Sequence, residues 1–300
     1  MSKIIGPAVF FGSGPLAAKS LELLTPDIEF EAVITKPTTA ETMKAIARHT
    51  PVFTVSNKQE LDQLFTDRHF KSNFAILIDF GIIVSQSTID RFPQGIINSH
   101  FSLLPEWRGA DPITFAVLSG QKQTGISLML LAERMDEGPL LAQASYDIPA
   151  NITTPELTKG LMELSVVTLK TILPLYLENK ITAVPQDIGN VIGNKTATYS
   201  RKITKNDGEI KWTKPAIQLE REIRAFKDWP QSRCSLAGRE VIITEAIVSD
   251  LQGLPGSVYL NDQHLHVYCA DGSLDLIKVK PSGKPEMPIK AFLAGYRRYL

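Results

Sequence analysis

The chain is 300 residues long with 43% apolar side chains, enough to bury a sizeable core in each of two domains. Its 32 basic residues equal its 32 acidic ones, which excludes a polyanion-binding footprint over the whole chain and leaves only local basic patches. Cys234 and Cys269 show no CxxC spacing, so reduced thiols in a cytoplasmic protein are the expectation.

The opening run MSKIIGPAVFFGSG is broken by Gly6, Pro7 and Gly12, and reads as a first strand rather than a secretory signal. Ala8–Phe11, Phe30–Thr35, Phe74–Phe80 and Gly95–Phe101 read as strands. Helices are expected between them over Pro15–Leu24, Ala40–Arg48 and Asn57–Phe65. This alternation predicts an open α/β domain with a mainly parallel sheet. Asp111 as N-cap and Pro112 at the first helical position open a further helix through Leu118. Gly125–Ala132 and Leu140–Ile148 read as two more strands. Thr154-Pro155 then starts a long helix to Glu178, bent at Pro174. No apolar run approaches the roughly 18 residues that a membrane span needs.

The pattern changes after about residue 185. Residues 189–206, with Gly189 and Gly193, read as an extended linker. Lys214–Phe226 reads as an amphipathic helix with Ala216, Leu219, Ile223 and Phe226 on one face. From Ser232 onward, turn signals at Ala237-Gly238, Pro255-Gly256, Asn261-Asp262 and Asp271-Gly272 break strand-like runs and predict a small antiparallel barrel. The expected division is an α/β domain over 1–188, the linker over 189–206 and a β domain over 207–300.

In a strand, alternate side chains share a face, so Asn98 and His100 point the same way about 6.5–7 Å apart. That strand runs into a proline-containing loop, and in open α/β sheets the carboxyl ends of strands open onto the ligand crevice. An amide and an imidazole aimed there can donate to a developing oxyanion; the plainer alternative is a hydrogen-bonded core histidine. Asp136, in the turn Met135-Asp136-Glu137-Gly138, is either part of a solvated hairpin or the partner that holds the imidazole or takes a proton. Phe80-Gly81-Ile82-Ile83 and Ser102-Leu103-Leu104-Pro105 read either as core packing or as the walls of a slot for a flat, partly apolar ring. Gly12-Ser13-Gly14-Pro15 lacks the third glycine of a dinucleotide fingerprint at position 17, and reads as a strand-to-helix turn. His264 and His266 share a strand face without a clear third partner and are read as surface residues.

Asn98-Ser99-His100, Ser102-Leu103-Leu104-Pro105, Arg108-Gly109-Ala110, Thr124-Gly125 and Asp136-Glu137-Gly138 follow one another over some forty residues. In order and spacing they resemble the folate-dependent formyltransferases, which carry an N-x-H pair, an S-L-L-P loop, R-G-A, T-G and D-x-G. The resemblance implies a Rossmann-like domain, 10-formyltetrahydrofolate as one-carbon donor, a primary amine as acceptor and no metal. Asn98 and His100 would then donate to the oxyanion, and Asp136 would orient His100 and accept the proton of the attacking amine. The two loops containing Phe80 to Ile83 and Ser102 to Pro105 would wall in the pterin.

Further on, Ala197-Thr198-Tyr199, Lys202-Ile203-Thr204-Lys205, Asp207-Gly208, Ile210-Lys211-Trp212, Ile223-Arg224-Ala225-Phe226, Trp229-Pro230, Pro255-Gly256, Gly283-Lys284, Met287 and Phe292-Leu293-Ala294-Gly295 resemble the second half of the methionyl-tRNA formyltransferases. That branch implies a C-terminal OB-like β-barrel domain and methionyl initiator tRNA as partner, in a monomer with no membrane attachment. Arg108, Arg201, Lys202, Lys205, Lys214, Arg221 and Arg224 are the expected tRNA contacts. The plainer reading is a solvated basic face, which nearby Glu220 and Glu222 favour.

Three departures stand out. After Ile34-Thr35-Lys36-Pro37 the chain reads Thr38-Thr39-Ala40-Glu41-Thr42-Met43, where the tRNA enzymes carry a long loop with Gly and Arg. Glu106 stands where a basic residue is usual, and Pro139 where an Asp is usual. Three alternatives therefore remain: a sugar-nucleotide N-formyltransferase or a formyltetrahydrofolate hydrolase using the same Asn-His-Asp set, and a non-catalytic RNA-binding protein.

Overall fold

The computed structural model describes residues 5–186, 196–261 and 263–300. In chain order it begins with β1 (Ile5–Gly12), α1 (Gly14–Leu24), β2 (Ile28–Thr35), α2 (Ala40–Ala47), β3 (Val52–Thr54), α3 (Lys58–Asp67), β4 (Phe74–Ile78) and α4 (Gln86–Ile89). β5 (Ile96–His100), β6 (Arg108–Gly109), α5 (Pro112–Ser119), β7 (Gln123–Leu130), β8 (Leu140–Asp147), α6 (Thr154–Leu177) and β9 (Tyr199–Ser200) follow. The remainder is α7 (Ala216–Ala225), β10 (Ser232–Leu236), β11 (Arg239–Ser249), β12 (Val258–Leu260), β13 (Leu265–Tyr268), β14 (Ser273–Pro281), β15 (Met287–Pro288) and α8 (Ile289–Tyr296).

These elements form two compact units, Met1–Gly109 with Gln123–Asp147 and Thr158–Ser200, and Ala110–Lys122 with Ile148–Leu157 and Arg201–Leu300. Gly189 and Gly193 of the expected linker, and Asp262 of the expected Asn261-Asp262 turn, lie outside the described residues.

The first unit is built on a sheet in the order β3-β2-β1-β4-β5-β7-β8. Its first five strands pair in parallel, whereas β7 runs antiparallel to both β5 and β8. That order over the parallel part is the one found in doubly wound α/β folds, as the alternating pattern predicts. β4 is buried throughout and β1 from Ala8 onward, which is why both read as continuous apolar runs. Under the sheet, Phe11 packs edge-on against Phe80 and Phe92 and stacks on Phe65.

β4 ends two residues before the expected Phe80, because Asp79 (φ 47°) and Gly81 (φ 64°) turn the chain. β3 and α4 were not anticipated; three and four residues are too few to show a period. α6 corrects the membrane expectation in one respect: its 24 residues are long and apolar enough to cross a bilayer. Glu156, Lys159, Glu163 and Lys170 interrupt the run, and Leu161, Leu169 and Leu173 are buried inside the fold.

The second unit carries an antiparallel sheet in the order β10-β11-β14-β13-β12, with β15 on β14. The expected β domain is therefore present, although the ladders run in an open order and close no barrel among the described residues. A register shift around Glu245 in β11 supplies the local bend that lets such a sheet curl. Ala216, Leu219, Ile223 and Phe226 are buried, as the helical spacing requires, and the first three pack with Val241, Leu276 and Phe292. α8 was not read as a helix from the sequence. Asp111 precedes α5 but does not cap it: it sits at φ 56°, and its carboxylate accepts the Ile203 N–H at 2.8 Å.

Candidate active site

β5 lies between β4 and β7, with Asn98 opposite Leu77 on one side and Met129 on the other. Asn98 and His100 are each 7% exposed on one face, while Ser99 bonds Ser165 of α6 at 2.7 Å on the opposite face. The strand period thus sorts these three residues as expected. His100 donates from Nε2 to the Trp107 carbonyl at 2.9 Å, and its Nδ1 faces Asp136 Oδ1 at 3.6 Å. Both ring nitrogens therefore face oxygen atoms, the Trp107 carbonyl on one edge and the Asp136 carboxylate on the other.

Asp136 is 9% exposed and held at φ 55° in the loop between β7 and β8. Its Oδ2 accepts the Gly109 N–H at 2.7 Å. Gly109 has φ 101°, and a Cβ there would meet the Ser200 carbonyl oxygen at 2.5 Å, so no larger residue can bring that N–H to the carboxylate. Two residues past Asp136, a Cβ on Gly138 would fall 1.8 Å from the Leu130 carbonyl oxygen. The glycines of R-G-A and D-x-G are thus required by close backbone approach.

Gln186 holds the same turn from behind, and nothing in the sequence marks it. Its Nε2 donates to the carbonyls of Asp136 (2.8 Å) and Gly138 (2.9 Å), and its Oε1 accepts from Arg108 Nη2 at 2.7 Å. Arg108 also pairs with Glu137 at 3.2 Å. The segment carrying Trp107 and Arg108 is tied to residues 198–200: Thr198 Oγ1 accepts the Trp107 N–H at 2.9 Å, and β6 pairs with β9. Thr198 belongs to the family-like stretch noted above, but its contact is set by the fold alone.

The expected ring walls divide. Phe80, Leu103 and Leu104 are no more than 1% exposed and pack in the core, Phe80 among the aromatic rings and Leu104 against Met129 and Leu140. Ser102 and Pro105 are also buried: the Ser102 hydroxyl donates to the Glu106 carbonyl at 2.5 Å, and the loop is fastened through Ser127, whose hydroxyl accepts the Leu104 N–H and donates to the Ser102 carbonyl. Gly81 and Ile83 are exposed and Ile82 half-buried, which leaves that loop with surface to offer. Gly12-Ser13-Gly14 forms the expected strand-to-helix turn, with Ser13 Oγ accepting the Lys36 N–H at 3.2 Å.

Most of the expected tRNA-binding cations have partners within the chain. Arg108 is occupied with Gln186 and Glu137. In the second unit Arg224 forks onto Glu220 (2.5 and 2.9 Å) and donates to the Ile152 carbonyl at 2.8 Å, which makes it a structural clamp. Lys214 pairs with Glu222 at 2.5 Å, Arg221 donates to the Ser119 carbonyl at 3.2 Å, and Arg201 pairs with Asp207. Helical spacing sets Glu220 one turn from Arg224, whereas Lys214 reaches Glu222 across eight positions from before α7. Lys202 and Lys205 are exposed.

Residues 9–173 match the family model for formyl transferase, and residues 202–297 match that for the formyl transferase C-terminal domain. A methionyl-tRNA formyltransferase of Chloroflexus aggregans is 33% identical, with 96% of each chain covered. Among solved structures, an N-formyltransferase from Helicobacter canadensis, in complex with folinic acid and dTDP-3-aminofucose, superposes with a TM-score of 0.68 at 18% identity, over 90% of this chain and 99% of that one. HypX from Aquifex aeolicus, in complex with tetrahydrofolic acid, gives a TM-score of 0.65 at 16% identity, over 96% of this chain and 47% of that one. The chain belongs to the formyltransferase family, in the branch of the methionyl-tRNA formyltransferases.

Proposed function

We propose that the protein transfers a formyl group from 10-formyltetrahydrofolate to the α-amino group of methionyl initiator tRNA, in the cytoplasm. The observation that carries this reading is the convergence of Asn98, His100 and Asp136 where β5 ends, with His100 Nδ1 at 3.6 Å from the carboxylate. The bound folate supplies an activated formyl carbon. An α-amino group titrates near pH ~7.7–8.0, so part of it is neutral at working pH, and the main demand on the chain is the oxyanion that develops on attack. The Asn98 amide donates to that oxygen, and so does the His100 Nε2–H, which exchanges the Trp107 carbonyl for it when substrate is bound. Asp136 holds the ring and takes the proton that the amine sheds. As the tetrahedral intermediate collapses, the bond from its carbon to the folate nitrogen breaks, and His100 helps return a proton to that nitrogen so that tetrahydrofolate leaves. Gly81, Ile82 and Ile83 contact the pterin, while buried Ser102, Leu103, Leu104 and Pro105 shape the loop behind it. Residues 1–188 carry the transfer chemistry, and 207–300 help hold the acceptor together with Lys202 and Lys205 of the preceding linker.

The test is a formylation assay with 10-formyltetrahydrofolate and three acceptors: methionyl initiator tRNA, methionyl elongator tRNA and amino-sugar nucleotides. Initiator-selective product supports the reading. One observation favours a sugar-nucleotide acceptor: Pro37–Thr39 form a single turn that leads straight into α2, with no long loop between. Product on the sugar nucleotide alone would keep the Asn98-His100-Asp136 chemistry and discard the tRNA; formate without any acceptor would identify a hydrolase.

A further inference from the structure

We infer that the C-terminal sheet carries a divalent transition-metal site, with His264, His266 and Asp275 as ligands and Zn2+ as the expected ion. The sequence shows only the H-x-H pair; the third ligand arrives through strand register. β13 and β14 pair antiparallel with His266 directly opposite Asp275, and His264, two residues before His266, falls on the same face. One ligand atom from each residue lies within 4.8 Å of the other two. The reading of both histidines as surface residues is corrected for His266, which is 8% exposed.

Hydrogen bonding within the cluster leaves this group unfinished. His264 Nδ1 meets Asp275 Oδ2 at 2.8 Å, which accounts for one carboxylate oxygen. The other, Oδ1, is buried with no hydrogen-bond partner among the described residues, and so is His266 Nδ1. His266 Nε2 stands 4.0 Å from Oδ1, too far for a hydrogen bond. A tetrahedral ion with bonds of about 2.0–2.2 Å needs its ligand atoms roughly 3.3–3.5 Å apart, so small side-chain rotations convert this set into three ligands. Two imidazoles and a carboxylate suit Zn2+, with water in the fourth position on the side of exposed His264. Such an ion clamps β13 to β14. The free thiols compete poorly for it, because burial pushes Cys234 up to about 12 and Cys269 up to about 11.

The full chain, stripped with chelator and dialysed, is titrated with Zn2+ by calorimetry at neutral pH, and Co2+ is read by its visible absorption. One Zn2+ per chain should bind, with a tetrahedral Co2+ spectrum and a raised melting temperature. Removing a ligand should weaken binding at least about tenfold in both His264→Ala and Asp275→Asn. His264 is exposed, so its variant folds whatever happens to the buried pair. The double variant Cys234→Ser/Cys269→Ser should bind Zn2+ as the parent does. No binding by the parent, equal binding by His264→Ala, or loss of binding only in the cysteine variant overturns the site.

Discussion

Gln186→Ala removes three hydrogen bonds at once: Nε2 to the Asp136 and Gly138 carbonyls at 2.8 and 2.9 Å, and Oε1 from Arg108 at 2.7 Å. Two neutral bonds at about 1 kcal/mol each and one to a guanidinium at about 1.5–3 kcal/mol set a ceiling of roughly 5 kcal/mol. Arg108 keeps Glu137, and coupled losses do not add, so about 2–4 kcal/mol is the expected destabilisation. The catalytic effect has a different origin. Asp136 sits at φ 55°, a conformation that an aspartate keeps only under restraint, and two of the lost bonds restrain its own turn. Released, the carboxylate drifts from His100, and a misplacement on the order of 1 Å costs about a hundredfold in rate. Gln186 is thus a positioning residue. Initial-rate kinetics should show kcat down by roughly 10–100-fold with KM for both substrates nearly unchanged, because no substrate contact is lost. Circular-dichroism melting should show a Tm lower by several degrees. A lowered Tm with unchanged kcat would refute the reasoning, since the carboxylate would then be placed by the Gly109 N–H alone.

Asn98→Ala should lower kcat by about 10²–10³ with the melting curve intact, and a change of only a few-fold rejects Asn98 as oxyanion donor. Lys202→Ala and Lys205→Ala should each raise KM for tRNA and reduce the salt slope by about 1, whereas Arg224→Ala should lower Tm and leave that slope alone. The reverse pattern would return Arg224 to the tRNA contacts. Because burial raises both thiols, Ellman's reagent at pH 8 should react far more slowly with the folded chain than with the unfolded one; rapid reaction of two equivalents contradicts this. Burial pushes the Glu31 carboxyl up, but the Ser72 hydroxyl and the N–H groups of Lys71 and Ser72 outweigh it and hold it below its ordinary value. Its contribution to stability is then fully present above the unfolded pKa of about 4.3 and fades as pH falls through the lower folded value. Glu31→Gln should therefore show a Tm deficit at pH 7 that shrinks below about pH 4, and a deficit independent of pH refutes the assignment.

Elements long enough to repeat a period were legible in the sequence. The helical face Ala216, Leu219, Ile223 and Phe226 is buried as the 3.6-residue spacing demands, and Asn98 and His100 share a face as the two-residue period of β5 demands. β3, α4, β6 and β9 have between two and four residues each and carry no such signal. The partners of the cations are illegible for a related reason. Spacing placed Lys214, Arg221 and Arg224 near one another, but it could not decide whether they face phosphate or carboxylate. In the fold Glu220 and Glu222 stand at 2.5 Å from Arg224 and Lys214.

The site itself has two layers of different legibility. Its reacting face comes from residues two apart on one strand, joined by an acidic turn whose glycine flags it. The supporting layer joins Arg108 to Gln186 across 78 positions and Trp107 to Thr198 across 91, so each member looks like an ordinary polar residue in its own neighbourhood. Gly109 shows how the layers meet: its N–H reaches Asp136 only because no Cβ stands against the Ser200 oxygen at 2.5 Å. The same logic applies in the second unit, where His264 and His266 are two residues apart but Asp275 joins them through the β13–β14 register. A chemical group built across distant segments becomes visible only when the backbone pairing that aligns them is known. Gln186 and Asp275 were both missed for that reason, and both complete a group whose other members the sequence had already displayed.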